Sequence, residues 1–258
     1  MASPTYTAEV VVLRKTKLGE SDLILTCLAV DGSQLRVVAK GARKPSSSFS
    51  SRLEVFSHAR ILAACGKSLD IVKEASLVDG HEALRAGYER SAAASAVCEF
   101  AAKVTEPSLE ADRLFPMVCA ALSAMERCDE RALEALVAAA LLKGLAFVGL
   151  RPELMRCVCC GEQVDLGAAG GPVALSYAEG GVVCDGCRRL AEGVLVDPET
   201  MAWLRTLLYR TFSEIEGLDA TGSAAACLQV CQQWCRAHLG SPVKSVEFLL
   251  ANPAPGSL

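Results

Sequence analysis

The hydrophobic positions in the first 80 residues fall into five short runs, separated by glycine, proline, serine and aspartate. Each run holds six to ten residues rich in valine, leucine, isoleucine and alanine, a length and composition typical of β-strands. Asp31-Gly32 lies between two of these runs and predicts a hairpin turn. The predicted strands are Tyr6–Leu13, Leu23–Val30, Gln34–Ala39, Val55–Ala63 and Leu69–Val78. Five strands in so short a segment fit a small closed barrel.

After Gly80 the apolar residues recur at helical spacing and the strand pattern ends. Asp197 and Pro198 predict an N-cap followed by proline at the first helical position, and Ser223 is the predicted cap of the last helix. Gly240 and Pro242 end that last helix. The predicted helices are His81–Val104, Pro107–Met125, Glu130–Val148, Pro198–Phe212 and Ser223–Leu239.

Together these patterns predict an α+β protein with two domains. Residues 1–80 form an N-terminal oligonucleotide-binding (OB) fold β-barrel, since this is the commonest small barrel of five strands. Residues 81–258 form an α-helical bundle domain. A cysteine-rich insert at about residues 155–192 interrupts the bundle and predicts a separate small element.

The strongest local motif is a pair of C-x-x-C sequences inside that insert. Cys157 and Cys160 form the first pair, Cys184 and Cys187 form the second, and 23 residues separate the pairs. Each pair can chelate from one turn, so four thiolates can surround Zn²⁺ as a tetrahedron. Cys159 leaves a second arrangement open, because it stands in a C-x-C relation to Cys157. Glycine-rich sequence between the pairs predicts a small hairpin.

We interpret the predicted zinc as structural. A catalytic zinc keeps an open position and commonly uses histidine or carboxylate ligands, whereas His58, His81 and His238 all lie far from the cysteines in sequence. The chain lacks the Walker A, dinucleotide-binding, nucleophile-elbow and H-E-x-x-H motifs. We therefore predict no catalytic residues and no enzymatic activity.

Positive charge is concentrated near the N-terminus, although the whole chain carries a formal charge of −4. Residues 1–60 contain nine lysines and arginines against five acids, and the remaining 198 residues carry a net charge of −8. No acid occurs between Gly32 and Leu53. Cations on an OB barrel bind nucleic-acid backbones, and we expect them to form one continuous positive track. Tyr6, Phe49 and Phe56 are the candidate base-stacking residues.

The same sequence argues against export and membrane insertion. No run of 18 apolar residues occurs, and the N-terminus lacks a basic region followed by an apolar run and a cleavage site. Thirteen cysteines without an export signal are typical of the reducing cytoplasm. We expect a cytoplasmic protein with no membrane partner.

Several of these motifs resemble one family of proteins. Lys17–Ile24, Asp31-Gly32 and Lys40–Pro45 are similar in sequence and order to the N-terminal signature of RecO, the bacterial recombination and repair mediator. The cysteine insert within a helical body and the later segment Leu239–Ser245 resemble the same family. The resemblance therefore extends over nearly the whole chain.

The resemblance implies a function without catalysis. It implies binding of single- and double-stranded DNA, annealing of complementary strands, and loading of RecA together with RecR on strands covered by single-stranded-DNA-binding protein (SSB). The implied partners are DNA, RecR, SSB and the RecA-loading machinery including RecF, at the bacterial nucleoid during repair. The cations in the domain that the family uses for DNA are Arg14, Lys15, Lys17, Arg36, Lys40, Arg43, Lys44 and Arg52.

Two other function classes remain alternatives at this point. The cysteine pairs could belong to a zinc-ribbon regulator that reads one duplex sequence through a helix. Alternatively, Glu20 and Asp22 could serve a zinc-dependent hydrolase or transferase. A mediator should anneal strands without turnover of a substrate, whereas a regulator should prefer one duplex sequence by a large ratio.

Overall fold

The computed structural model describes residues 3–166, 171–218 and 222–251 of the chain. The chain forms two compact units, residues 1–126 and residues 127–258. Among these residues, the first unit contains a β-barrel and three α-helices, and the second contains five α-helices and a small sheet. In the part of the chain that the structure describes, no helix has the length and apolar character needed to cross a membrane.

The barrel of the first unit closes from five strands in the order β1-β2-β3-β5-β4. All neighbouring pairs are antiparallel except β3 and β5, which are parallel. This order is that of an OB-like barrel and confirms the predicted fold class. The strands are β1 (Thr5–Leu18), β2 (Asp22–Ala29), β3 (Gln34–Ala39), β4 (His58–Ala64) and β5 (Asp70–Asp79).

Alternate residues of each strand fill the barrel interior. Val10 and Val12 of β1 pack with Leu23 and Leu25 of β2, and Ile61 of β4 closes the core from the other side. All five side chains are buried. Since alternate side chains of a strand point to opposite faces, the residues between them lie on the outside of the barrel.

Helices on the barrel surface belong to the same unit, and they differ from the single helices predicted there. They are α1 (Ala83–Ala86), α2 (Tyr88–Val104) and α3 (Leu114–Arg127). Extended backbone at Gly87 separates α1 from α2. The helix predicted from Pro107 begins at Leu114, because the Ala111 amide donates to the Asp31 carbonyl at 2.9 Å instead of continuing a helix.

The β2–β3 turn requires glycine because it contacts this segment closely. Gly32 has a φ of +82°, a left-handed conformation that side chains disfavour. A Cβ at Gly32 would lie 2.0 Å from the Ala111 carbonyl oxygen. On the adjoining strand, the Gln34 side chain donates to the Ala102 carbonyl at 2.9 Å. The Asp31-Gly32 signal therefore specifies both the hairpin and its contact with the helical segment.

In the second unit, α4 is the central helix and is buried along most of its length. It packs against α5 and α7, and Lys143 of α4 donates to the Leu208 carbonyl at the end of α5 at 2.8 Å. The helices are α4 (Leu133–Phe147), α5 (Pro198–Tyr209), α6 (Phe212–Ile215), α7 (Ala224–Leu239) and α8 (Lys244–Ala251). The sequence analysis did not predict α6 or α8 as separate helices.

The two predicted helix caps have different outcomes. Asp197 caps α5 as predicted, accepting from the Thr200 amide at 2.8 Å. Ser223 occupies the N-cap position of α7 as predicted, but its side chain makes no capping hydrogen bond. Its hydroxyl donates instead to Glu199 at 3.0 Å, because the first turn of α5 lies beside it.

The cysteine insert folds as a three-stranded antiparallel sheet between α4 and α5. Its strands are β6 (Val173–Ser176), β7 (Gly181–Val183) and β8 (Val194–Val196), in the order β7-β6-β8. The β6–β7 pair is the hairpin predicted from the glycines, and β8 was not predicted. Arg205 of α5 donates to the Leu154 and Val164 carbonyls at 2.8 and 3.0 Å, which joins the insert to the helices.

Candidate functional site

The structure brings four of the cysteines of the insert together. The sulfur atoms of Cys157, Cys160, Cys184 and Cys187 all lie within 4.8 Å of one another. The Cys160 and Cys184 sulfurs are 3.7 Å apart. Four thiolates about 2.3 Å from a tetrahedral zinc lie about 3.8 Å from one another. The donor set and its spacing therefore fit a tetrahedral metal site of the Cys₄ type.

Backbone hydrogen bonds hold the first cysteine turn beside β7. The Val158 amide donates to the Val182 carbonyl at 3.0 Å, and the Val182 amide donates to the Glu153 carbonyl at 2.8 Å. Gly181 permits this contact, since a Cβ there would lie 2.3 Å from the Glu153 carbonyl oxygen. Because Cys184 directly follows β7, this pairing places it opposite Cys157.

Nearby amides favour the thiolate form of Cys157. Burial raises the pKa of this thiol, but hydrogen bonds from the backbone amides of Cys184, Cys160 and Cys159 outweigh burial and lower the pKa to about 6. The Cys184 amide lies 3.3 Å from the Cys157 sulfur. A thiolate is the form that binds metal. This electrostatic environment suits a metal ligand.

The remaining cysteines named in the sequence analysis lie apart from this group. Cys159 is exposed and outside the four-sulfur cluster, so the geometry favours the C-x-x-C pairing over C-x-C. Cys227, Cys231 and Cys235 are buried on one face of α7, and the Cys231 thiol donates to the Ala138 carbonyl at 3.7 Å. Burial raises the pKa of Cys231, which keeps it a neutral core residue.

A second group of metal-type donors lies in the first unit at the end of β5. His81 Nδ1 lies 2.8 Å from a Glu126 carboxylate oxygen, and Asp79 accepts the His81 amide at 3.0 Å. His81 is buried and has a φ of +45°. These hydrogen bonds join His81 to Asp79 and to Glu126, so the cluster connects the end of the barrel to α3.

The eight candidate DNA-binding cations all lie on the barrel or its loops. Arg14, Lys15 and Lys17 are on β1, Arg36 is on β3, and the other four follow β3. Seven of the eight are exposed; Lys15 is half-buried. Lys15 donates to Glu54 at 2.6 Å. Binding of DNA by these residues stays a prediction at this point.

A β-bulge in β1 decides which of its cations face outward. The register of β1 against β2 shifts between Val12 and Arg14. Before the shift Val12 points into the core opposite Cys27, whereas after it Arg14 lies opposite Thr26 and Lys15 lies opposite Leu25. Opposed residues of an antiparallel pair share a face. Arg14 therefore lies on the outer face, and Lys15 takes the face of the core residues at the barrel end.

Strand register places three of these cations on two faces of the ribbon. Arg36 also lies opposite Thr26, so Arg14 and Arg36 flank one residue on the outer face. Lys17 lies opposite Leu23, on the face that continues the core. The bulge decides which of the alternating β1 cations faces outward, and no local signal in the β1 sequence marks it. The expected single continuous track stays a prediction.

The basic loop after β3 is held against the β1–β2 turn. Asp22 accepts the Gly41 amide at 2.7 Å, and this bond, together with Ser21 and the charges of Lys40 and Lys44, holds the Asp22 pKa below its ordinary value. Asp22 is thus a structural acceptor, which removes it from the hydrolase alternative. The sequence analysis missed this role, although the Ser21-Asp22 pair next to a glycine turn is a typical loop-binding sequence.

The guanidinium groups of Arg43 and Arg52 donate hydrogen bonds to backbone carbonyls. Arg43 donates to Gly19 and Glu20 at 3.2 and 2.7 Å, and Arg52 donates to Ala75 at 3.1 Å. They therefore position the loop while they contribute charge. Lys40 and Lys44 are exposed in the same loop and make no ion pair among the described residues.

The candidate stacking residues differ in exposure. Phe56 is 3% exposed, so its ring is not available to bases. Tyr6 and Phe49 are half-buried: Tyr6 donates its hydroxyl to Asp70 at 2.6 Å, and Phe49 packs against the barrel core. None of the three presents a fully exposed ring.

Comparison with known proteins covers both halves of the chain. Residues 1–81 match the family model described as Recombination protein O N terminal, and residues 85–247 match that described as Recombination protein O C terminal. The chain is 32% identical over 249 residues to "DNA repair protein RecO" of Bifidobacterium adolescentis, which covers 95% of this chain and 99% of the relative.

Two further relatives come from other bacterial genera. The protein of the same name from Nocardioides sp. is 32% identical over 251 residues, covering 95% of this chain and 98% of the relative. That of Desulfitobacterium hafniense is 31% identical over 245 residues, covering 93% and 87%. With both family models matched along an OB-like barrel and a helical unit that carries a cysteine cluster, the chain belongs to the RecO family of DNA repair proteins.

Proposed function

We propose that this protein is a recombination mediator that binds single- and double-stranded DNA through its barrel and anneals complementary strands. The observation that carries the proposal is the set of exposed cations on the barrel of a RecO family member. These cations can bind phosphates without the help of a catalytic residue. Arg14, Lys17 and Arg36 make no ion pair among the described residues, so their charges are available to phosphates. No catalytic step is part of the proposed function.

The mechanism is neutralisation of phosphate charge. Two complementary strands repel each other, and cations on the protein lower this repulsion while released counterions supply affinity. Four phosphate contacts would give a salt slope of about −3 for single strands. Since contacts of cations to phosphates carry no base information, binding depends weakly on base sequence.

We further propose that the four clustered cysteines bind one structural Zn²⁺. The ion would crosslink the turn that carries Cys157 and Cys160 to the turn that carries Cys184 and Cys187. Four sulfur ligands leave no position for water, which favours a structural role over hydrolysis. The short strands of the insert support this role, because a sheet of three- and four-residue strands is too small to be stable by itself.

The proposed partners are those implied by membership in the RecO family. We propose that the protein acts with RecR to load RecA on SSB-coated strands, in the bacterial cytoplasm at the nucleoid, together with RecF-containing loading machinery. Support comes from membership in the family and from bacterial relatives named as DNA repair proteins.

The test uses a charge-reversal pair and a matched control. Lys40→Glu/Lys44→Glu changes two exposed loop cations, and Lys67→Glu/Lys73→Glu makes the same charge change at exposed positions elsewhere on the barrel domain. We expect the first variant to lose at least tenfold in single-strand affinity and in annealing rate, and the control to stay near wild type. Affinity is measured by fluorescence titration of a labelled oligonucleotide at several salt concentrations.

Three outcomes would contradict the proposal. Wild-type protein that neither binds nor anneals strands would refute the mediator function. Equal behaviour of both variants would remove the loop from the interface. A large preference for one duplex sequence would favour a regulator instead. Mass spectrometry of the purified chain should show one zinc per chain, and its absence after purification without chelator would refute the metal proposal.

A further inference from the structure

The cations of the barrel form two groups that point in different directions. The outer group is Arg14 and Arg36, which flank Thr26 on the outside of the sheet. The end group is Lys17, Lys40 and Lys44, at the end of the barrel where the β1–β2 turn meets the basic loop. All five side chains are exposed.

Strand alternation and the bulge between Val12 and Arg14 together set this division. Without the bulge, Arg14 would fall on the face of Val10 and Val12, inside the barrel. With it, Arg14 turns outward and Lys17, three residues further on, lies on the face of the core residue Leu23. Alternation places Arg14 and Lys17 on opposite faces of the two-stranded ribbon, and the bulge decides which of them faces outward.

The two groups are also separated along the strands. The cross-strand row through Arg14, Thr26 and Arg36 lies three residues from the row through Lys17, Leu23 and Ala39. Three residues correspond to about 10 Å along a strand. A single nucleic-acid backbone lying straight along one face of the ribbon contacts one group and leaves the other free.

We propose that the outer group and the end group bind two separate DNA backbones at the same time. This inference rests on the proposed annealing function and adds that one protein chain holds both strands. Each group neutralises its own strand, and a separation of about 10 Å is comparable with the Debye length at 0.1 M salt, which weakens the residual repulsion between the strands. The loop that carries the end group is fixed to the ribbon by Asp22 and Arg43, so its position relative to the outer group is defined.

The test counts strands bound by each protein chain. The probe is an oligothymidine of about 12 nucleotides, within the site size of one OB fold and unable to pair with itself. Native mass spectrometry of the full chain with excess probe gives the number of strands per chain directly, even if the chain forms oligomers. Wild type should bind two strands per chain.

Two variants with equal charge change separate the groups. Arg14→Glu/Arg36→Glu removes the outer group, Lys17→Glu/Lys40→Glu weakens the end group, and Lys67→Glu/Lys73→Glu is the control. Each group variant should bind one strand, lose about 1.4 from the salt slope, and anneal complementary strands at least tenfold more slowly. The control should bind two. Glutamine at the same positions serves if a glutamate variant fails to fold, as checked by circular dichroism.

The outcomes distinguish this inference from the proposed function. Wild type saturating at one strand per chain while still annealing would overturn the two-backbone inference and leave the proposed function standing. Loss of all binding in either group variant would show one continuous track, and two strands on both variants would place the sites elsewhere; each result overturns the inference. Wild type that binds no oligothymidine would refute the proposed function itself.

Discussion

The barrel and the cysteine insert hold short loops in place by different means. The barrel closes a hydrogen-bonded sheet around buried apolar residues such as Leu25 and Ile61, so its shape follows from hydrophobic burial. The insert has strands of three or four residues and a cluster of four thiols. Sheets this small need an additional constraint to be stable. The barrel has a core of its own, whereas the proposed zinc would supply that constraint in the insert.

The two regions also use charge differently. In the barrel, Asp22 and Arg43 bind backbone groups and leave Lys40 and Lys44 exposed. In the insert, Arg156 donates to the Gly161 carbonyl beside the thiols at 3.2 Å. The barrel keeps cations available for a ligand, and the insert uses its charges internally. A substitution in either region should therefore affect that region and leave the other unchanged.

The largest effect should come from removing one ligand of the insert. Cys184→Ser should abolish zinc binding and remove the amide protection of residues 153–164 and 173–196, because apparent binding free energies of structural zinc are about 10–16 kcal/mol. Hydrogen exchange measures protection and mass spectrometry measures zinc. Barrel amides should be unchanged. Cys159→Ser is the control and should keep the metal; loss of zinc in this control would make Cys159 a ligand.

A substitution in the barrel core should destabilise the barrel and leave the insert unchanged. Leu25→Ala should destabilise the barrel by about 2–5 kcal/mol, because it removes a fully buried side chain and leaves a cavity. Chemical denaturation measures the change, and zinc content should stay at the wild-type value. Leu77→Ala, at a position 41% exposed, should change stability by less than about 0.5 kcal/mol. Equal effects of both substitutions would show that the barrel core does not determine its stability.

Two neighbouring loop cations should separate positioning from binding. Arg43→Ala should lower stability by roughly 1 kcal/mol, because the guanidinium bonds to Gly19 and Glu20 are lost. Lys44→Ala should leave thermal stability unchanged and reduce the single-strand salt slope by about 0.7, the value of one phosphate contact. Thermal melting and salt titration distinguish them. A stability loss in Lys44→Ala would assign it a structural role.

The smallest effect should be the response of the loop to acid. The folded-state pKa of Asp22 lies below its ordinary value of 3.8, chiefly because it accepts the Gly41 amide. Its contribution to stability is therefore present above about pH 4 and lost as the pH falls through the folded-state pKa. Hydrogen exchange of the Gly41 amide should rise across this range relative to neighbouring amides. Asp22→Asn should remove the dependence; an unchanged profile in that variant would contradict the assignment.

Local sequence was sufficient for the barrel architecture and for the cysteine cluster. Strand runs, the Asp31-Gly32 turn and the two C-x-x-C pairs each depend on neighbours a few residues away, and the structure confirms the barrel and brings the four cysteines together. Predictions failed where a distant segment competes for a backbone or side-chain group. The Ser223 side chain bonds to Glu199 instead of to the first turn of its own helix, and the Ala111 amide bonds to Asp31 instead of continuing a helix.

By itself, the sequence determined that cations gather in the N-terminal domain and that paired cysteines can chelate a metal, since composition and ligand spacing are local properties. Only the tertiary structure decided which way the cations point. The bulge before Arg14 turns Arg14 outward and Lys17 to the face of the core, and Arg43 binds backbone carbonyls. The physical reason is that the direction of a side chain depends on strand register and on the groups that another segment brings within hydrogen-bonding distance.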